Sequence, residues 1–125
     1  RAIPLKTAGP FHTRKLVKAS EALKEELKDI NINKFNSKVV KNLDGKIYDE
    51  NDDIREILAK HIISPVKFSE TLEVMKANGV DTYIEIGQGK TLSGFVKKSN
   101  MNEDVKILNT SNLESLLDVI GRKYE

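Results

Sequence analysis

Apolar residues recur three or four positions apart at Leu16, Ala19, Leu23 and Leu27, with Lys and Glu between them. That period predicts an amphipathic helix from Arg14 to about Asp29 with one buried face. "NINKFN" (31–36) interrupts it as a polar linker holding Ile32 and Phe35. "KVVKNLDGKIY" (38–48) predicts a strand through Val39 and Val40, followed by a turn at Asp44-Gly45. A second helix is predicted from near Asp53. Asp53 and Glu56 have capping-box spacing there, and Ile54, Ile57 and Leu58 form the stripe. Ser64-Pro65 stops it and predicts a third helix, with Ser64 as cap and Pro65 in the first helical position. Phe68, Leu72 and Met75 make its stripe, and Asn78-Gly79 ends it.

Beyond Gly79 the period switches twice more. "VDTYIEI" (80–86) predicts a strand, and 90–98 a short helix with Leu92, Phe95 and Val96 inward. A loop at 100–104 leads to a strand at 105–109. Ser111 with Glu114 caps a last helix through Leu113, Leu116, Leu117 and Ile120. At the other end, "IPL" (3–5) precedes a turn at Gly9-Pro10. Alternation of strand and helix predicts an α/β fold with a largely parallel sheet, although the strands are few for a doubly wound domain.

The 125 residues suit one domain at most, and 38% apolar with 32% charged side chains suit a modest core. The balance of 21 basic against 19 acidic residues, interspersed as in "EALKEELKD" (21–29), argues against a nucleic-acid partner. Cysteine is absent, which removes disulfides, zinc thiolates and cysteine nucleophiles together and fits a reducing, cytoplasmic setting. No run of 18 apolar residues and no signal peptide occurs, so no membrane role is expected. A first residue of Arg reads as a processed chain or a piece of something longer.

Gly87-Gln88-Gly89-Lys90-Thr91 invites comparison with a phosphate loop. The spacing rejects it: the position that must hold the loop's first glycine is Ile84, inside the predicted strand. What remains is a tight strand-to-helix turn with Lys90 solvated, or a local contact for an anion at a helix start. Glu85, just before the turn, is left as a buried partner for Lys90 or for a backbone N–H, or as a residue that simply faces a helix gap.

His12 and His61 are the only side chains with an unperturbed pKa near neutrality. His12 follows the Gly9-Pro10 turn and precedes a helix, which delivers Phe11 and His12 to the lip of the sheet, where α/β sites gather. A histidine there serves as general base if another group fixes its tautomer; otherwise it merely tops the helix. His61, near a helix end, reads most simply as a C-terminal helix histidine. No G-x-S-x-G elbow occurs, so the nucleophile is missing. Two histidines without H-E-x-x-H or cysteine make no metal cage.

Together, "GPFHT" (9–13), "VVKNLDGKI" (39–47), "SPVKFSETLEVMKANGV" (64–80) and "YIEIGQGKTLSGFVKK" (83–98) resemble the acyltransferase domain family of fatty-acid and polyketide synthesis. The malonyl-transferring bacterial branch is nearest, and the resemblance covers essentially the whole chain in order. It implies part of an α/β-hydrolase-like three-layer sandwich with a mostly parallel sheet. Residues 1–125 would be the C-terminal part of the large subdomain. The ferredoxin-like subdomain and the half bearing the serine elbow, the carboxylate-gripping Arg and the oxyanion-hole Gln would precede residue 1.

The resemblance further implies that His12 is the catalytic base and acid, oriented by a backbone carbonyl at His61, a position where the family often has Gln. Phe11 would neighbour the acyl pocket and favour malonyl over a branched acyl group, because an extra methyl against a rigid ring costs about 1–3 kcal/mol. Gly9, Asn42, Gly87 and Gly89 would form structural turns. Gln88 replaces the family's usual Pro, which predicts a looser turn. The implied reaction passes malonyl from coenzyme A to the phosphopantetheine thiol of acyl carrier protein through an acyl-serine. It needs no bound cofactor, the coenzyme A thioester being substrate. Malonyl-CoA, the carrier protein and the upstream part of the same protein are the implied partners. The competing reading is a non-catalytic truncated homologue that packs against a partner or binds the carrier protein.

Overall fold

A computed structural model of the chain describes residues 2, 4, 8–99 and 104–121. Its helices are α1 (Val17–Glu26), α2 (Ile54–Ile62), α3 (Phe68–Ala77), α4 (Thr91–Lys98) and α5 (Leu113–Gly121), and its strands are β1 (Thr82–Ile86) and β2 (Lys106–Thr110). Single 3₁₀ turns at Arg14–Leu16 and Leu27–Asp29 flank α1. The chain divides into two compact units, Arg1–Thr71 and Leu72–Glu125. All but Pro4 of the "IPL" segment and most of the 100–104 loop lie outside the described residues.

In the first unit α1 packs on α2 through small residues. Ser20 is buried and donates its hydroxyl to the carbonyl of Ala59, itself 3% exposed, at 2.6 Å. Leu16, Leu23 and Leu27 are half-buried, whereas Ala19 is exposed, so Ser20 takes the inward place expected for Ala19. The last carbonyls of a helix lack intrahelical donors. Arg55 on α2 supplies them: its Nε donates to Leu27 O at 2.7 Å and its Nη2 to Ile30 O. Asp53 caps α2 as expected, its Oδ1 accepting from Glu56 N at 3.1 Å. The reciprocal half of the capping box is missing, because the Glu56 carboxylate pairs with Lys24 of α1 and with Lys60.

The predicted strand through Val39 and Val40 is instead one arm of a short antiparallel hairpin. Val40 bridges Ile47, Tyr48 N donates to Val39 O at 2.8 Å, and Gly45 turns the chain at φ 70°. Buried Lys41 closes the turn with Nζ at 2.7 Å from Asp52 and 3.5 Å from Asp44. The third helix also starts later than its sequence signals suggest. Residues 63–67 are non-helical, Pro65 lies outside α3, and the Lys67 carbonyl accepts from Thr71 N.

The second unit takes in most of α3, with buried Leu72, and continues as a β-α-β-α run. β1 and β2 pair in parallel from Thr82↔Lys106 to Ile86↔Thr110, with α4 as the crossover. These are the two strands among the described residues, so the α/β class and parallel pairing are present on a small scale. The arrangement matches part of an α/β-hydrolase-like fold. Tyr83, Ser93, Val96, Thr110 and Val119 are buried. Leu92 and Phe95 were expected inward and are exposed. So are Leu113, Leu116, Leu117 and Ile120, where α5 buries Val119 in their place. Asn112, and not Ser111, caps α5, its Oδ1 accepting from Ser115 N at 2.9 Å.

Candidate active site

The first unit brings His12 and His61 together. Thr13, the residue after His12, donates its hydroxyl to Pro10 O at 2.7 Å and accepts from Lys15 N, so the Gly9-Pro10 turn is tied to the start of the helical segment. The Phe11 ring lies in van der Waals reach of the open side of Gly9 and is otherwise 63% exposed. Between them His12 has φ 58°, the one non-glycine residue with positive φ among those described. The left-handed conformation costs an L-residue about 1–2 kcal/mol, and such outliers concentrate at functional sites. The periodicity of the sequence carries no sign of it.

The end of α2 supplies the other half. The His61 carbonyl belongs to the last turn, where helix carbonyls need outside donors. It accepts Ser64 N at 3.3 Å and the Nδ1–H of His12 at 3.0 Å. Because a carbonyl only accepts, this bond places the proton on Nδ1 and leaves Nε2 of His12 as the basic atom. Among the described residues Nε2 of His12 has no hydrogen-bonding protein partner. The two rings stack with centroids 4.8 Å apart and a tilt of 36°. Burial, and then the charge of His12, push the His61 imidazole below the ordinary histidine pKa.

Asn42 is exposed and serves the site only indirectly. Its carbonyl accepts Lys67 N at 2.8 Å, holding the hairpin to the segment that follows His61. Gly87 and Gly89 lie in the second unit, at φ 129° and 94°, and turn β1 into α4. The anion position at that turn is taken by the protein itself. Glu85 accepts Leu92 N at 3.1 Å through Oε1. Its Oε2 accepts Ser93 N at 2.8 Å, the Ser93 hydroxyl at 2.6 Å and Asn109 Nδ2 at 3.1 Å. Donation by Ser93 above all lowers its pKa to about 2. Glu85 is therefore the partner of backbone N–H groups and not of Lys90.

Among the described residues no serine hydroxyl is hydrogen-bonded to either histidine, and the hydroxyls of Ser20 and Ser93 go to Ala59 O and Glu85. No cluster of three His, Cys, Asp or Glu side chains able to hold a metal occurs among them. No helix among them is long and apolar enough to cross a membrane.

No family model matches the chain. Individual proteins do. The chain is 41% identical over 116 residues to the malonyl CoA-acyl carrier protein transacylase of Bacillus subtilis (strain 168), covering 93% of the chain and 36% of that protein. A Staphylococcus aureus (strain MSSA476) protein of the same description is 34% identical over 116 residues, 93% of the chain and 37% of its own length. Among solved structures, the malonyl CoA-acyl carrier protein transacylase from Clostridium perfringens superposes with a TM-score of 0.87 at 46% identity. The match covers 98% of this chain and 38% of that one. MCAT from Streptococcus pneumoniae gives 0.85 at 36%, over 97% of this chain and 39% of its own. The chain thus spans little more than a third of the length of these relatives.

Proposed function

The chain belongs to the malonyl CoA-acyl carrier protein transacylase family, and on that premise we propose that it supplies the histidine part of a serine transacylase. In this reading residues 1–125 are the C-terminal part of the large, hydrolase-like subdomain, one portion of a three-layer sandwich. The nucleophile-bearing part of the same protein and the ferredoxin-like subdomain lie outside them. His12 is the base. A serine Oγ attacks the malonyl thioester carbonyl of malonyl-CoA and gives its proton to Nε2 of His12. The departing coenzyme A thiolate takes that proton. The phosphopantetheine thiol of acyl carrier protein then loses its proton to His12 and attacks the acyl-serine ester, and the serine leaves with the proton. Phe11 lies beside the acyl pocket and favours the unbranched malonyl group. No resident cofactor is required.

The observation that supports this reading is the 3.0 Å bond from Nδ1 of His12 to the His61 carbonyl, made by a residue held at φ 58°. A base needs one tautomer and one orientation, and a backbone carbonyl provides both whatever side chain it carries. In the full-length enzyme, His12→Ala should lower kcat/KM by at least ~100-fold, the lower range for a general base. His61→Gln should cost much less, because the carbonyl remains. Circular dichroism checks that each variant folds. A His12→Ala enzyme near wild-type activity defeats the assignment. The 125-residue chain alone, incubated with malonyl-CoA, should show no malonyl ester by intact mass. A stable adduct on one of its serines would place the nucleophile within it.

A further inference from the structure

The role given above to His61 uses its carbonyl and leaves its ring unexplained. That ring lies against His12, with centroids 4.8 Å apart. Its Nε2 is buried and has no hydrogen-bond partner among the described residues. Protonating a buried nitrogen creates an N–H with nowhere to donate, and an unmade buried hydrogen bond is costly. As an unprotonated lone pair the same atom is far less demanding. We propose that the His61 ring is a positioning residue for His12: a neutral imidazole plate that fixes the plane of the base and limits the pair to one proton. This rests on the reading of His12 as the base.

Two physical effects give the plate its value. The imidazolium that forms on His12 during proton transfer sits over an aromatic face, whose quadrupole favours a cation. A second positive charge within 5 Å is repelled, so a proton on His12 favours the uncharged form of the His61 ring. Other charges do not compete for this role. Lys24 on α1 and Lys60 on α2 both pair with Glu56, Arg55 is spent on the Leu27 and Ile30 carbonyls, and Arg14 and Lys15 are exposed. The charge that acts on the His61 ring is that of His12, in addition to burial. A ring that merely filled space would need none of this.

The chain has two histidines, so their ring carbon protons give two resolvable NMR titrations without any assay of activity. The expected result is that the His61 ring protonates below the ordinary histidine range. In the His12→Gln variant the His61 titration should move up, since the repelling charge is gone, yet stay below the ordinary histidine range, since burial persists. A His61 ring that protonates at or above the ordinary histidine range, or whose titration does not move in the His12→Gln variant, overturns the proposal, whatever the fate of the base assignment. The second measurement is kcat and KM in the full-length enzyme. His61→Gln and His61→Leu should lower kcat about tenfold, as loss of an orienting partner does, with KM little changed. His61→Phe, which restores an aromatic plate, should recover most of kcat. Equal rates for Leu and wild type, or no rescue by Phe over Leu, overturn the positioning role even if His12→Ala is inactive.

Discussion

At the scale of single residues, backbone strain and one carboxylate make the sharpest predictions. His12 at φ 58° holds a conformation that glycine adopts without penalty and alanine does not. Replacing it by Ala or by Gly removes the same ring and the same bond to His61, so the two variants differ mainly in the backbone. His12→Gly should therefore be the more stable of the pair by about 1 kcal/mol, the reverse of their order in a helix. Equilibrium urea unfolding measures the difference, and a Gly variant less stable than the Ala variant would show that position 12 relaxes out of the left-handed region. Glu85 sets an acid limit. Its carboxyl titrates at 4.5 when unfolded and at about 2 when folded. Between those values the unfolded chain binds the extra proton, so stability falls as pH drops through this window and is fully present above it. Glu85→Gln should lower the melting temperature at pH 7 and flatten this part of the acid limb. An unchanged limb would mean that the Ser93 and Asn109 bonds are not what hold the carboxylate charged.

Elements were legible in the sequence where one local interaction decided them and obscure where two competed. α2 begins where Asp53 predicts because its Oδ1 cap has no rival. Ser64-Pro65 looks like a helix start, but the Ser64 N–H is taken by the His61 carbonyl in a turn that closes α2, and the next helix begins at Phe68. Val39 and Val40 read as a sheet strand because β-branched pairs favour strands, and nothing local shows that Gly45 folds them back onto Ile47. Pattern likewise found His12 and His61 as candidates through their loop and helix-end positions. It could not show that 49 residues of separation close to a 3.0 Å bond, since that depends on tertiary packing. Gly45 tests the hairpin. Its φ of 70° already excludes most side chains, and a Cβ added there would overlap Glu70 Cβ and crowd the Glu70 backbone. Gly45→Ala should destabilise the fold by more than 1 kcal/mol, read by thermal or urea unfolding. A neutral result would mean that the hairpin and the first turn of α3 separate easily.

On the scale of the whole molecule, the apolar stripe of α5 is the feature that composition could not anticipate. The stripe has a helical period, at Leu113, Leu116, Leu117 and Ile120, yet Leu113 is 70% and Ile120 67% exposed. In the same unit Ile86 and Phe95 are exposed as well, and Val119 is the one α5 residue described as buried. Sequence patterning reports which face of a helix wants cover, and it does not report whether the chain at hand supplies that cover. Monomeric proteins rarely leave contiguous apolar patches of this kind in water. On the proposed reading the missing cover is the rest of a protein of which this chain matches little more than a third. The 125-residue chain alone should then associate as its concentration rises, and should bind a hydrophobic dye while folded. Replacing Leu117 by Glu and Ile120 by Lys charges the stripe without touching Val119, so association and dye binding should fall while helix content persists. Sedimentation velocity over a concentration series, with circular dichroism on both proteins, makes the comparison. A wild-type chain that stays monomeric at high concentration, excludes the dye and melts in one sharp transition would show that these leucines need no partner, and the case for a covering segment would be lost.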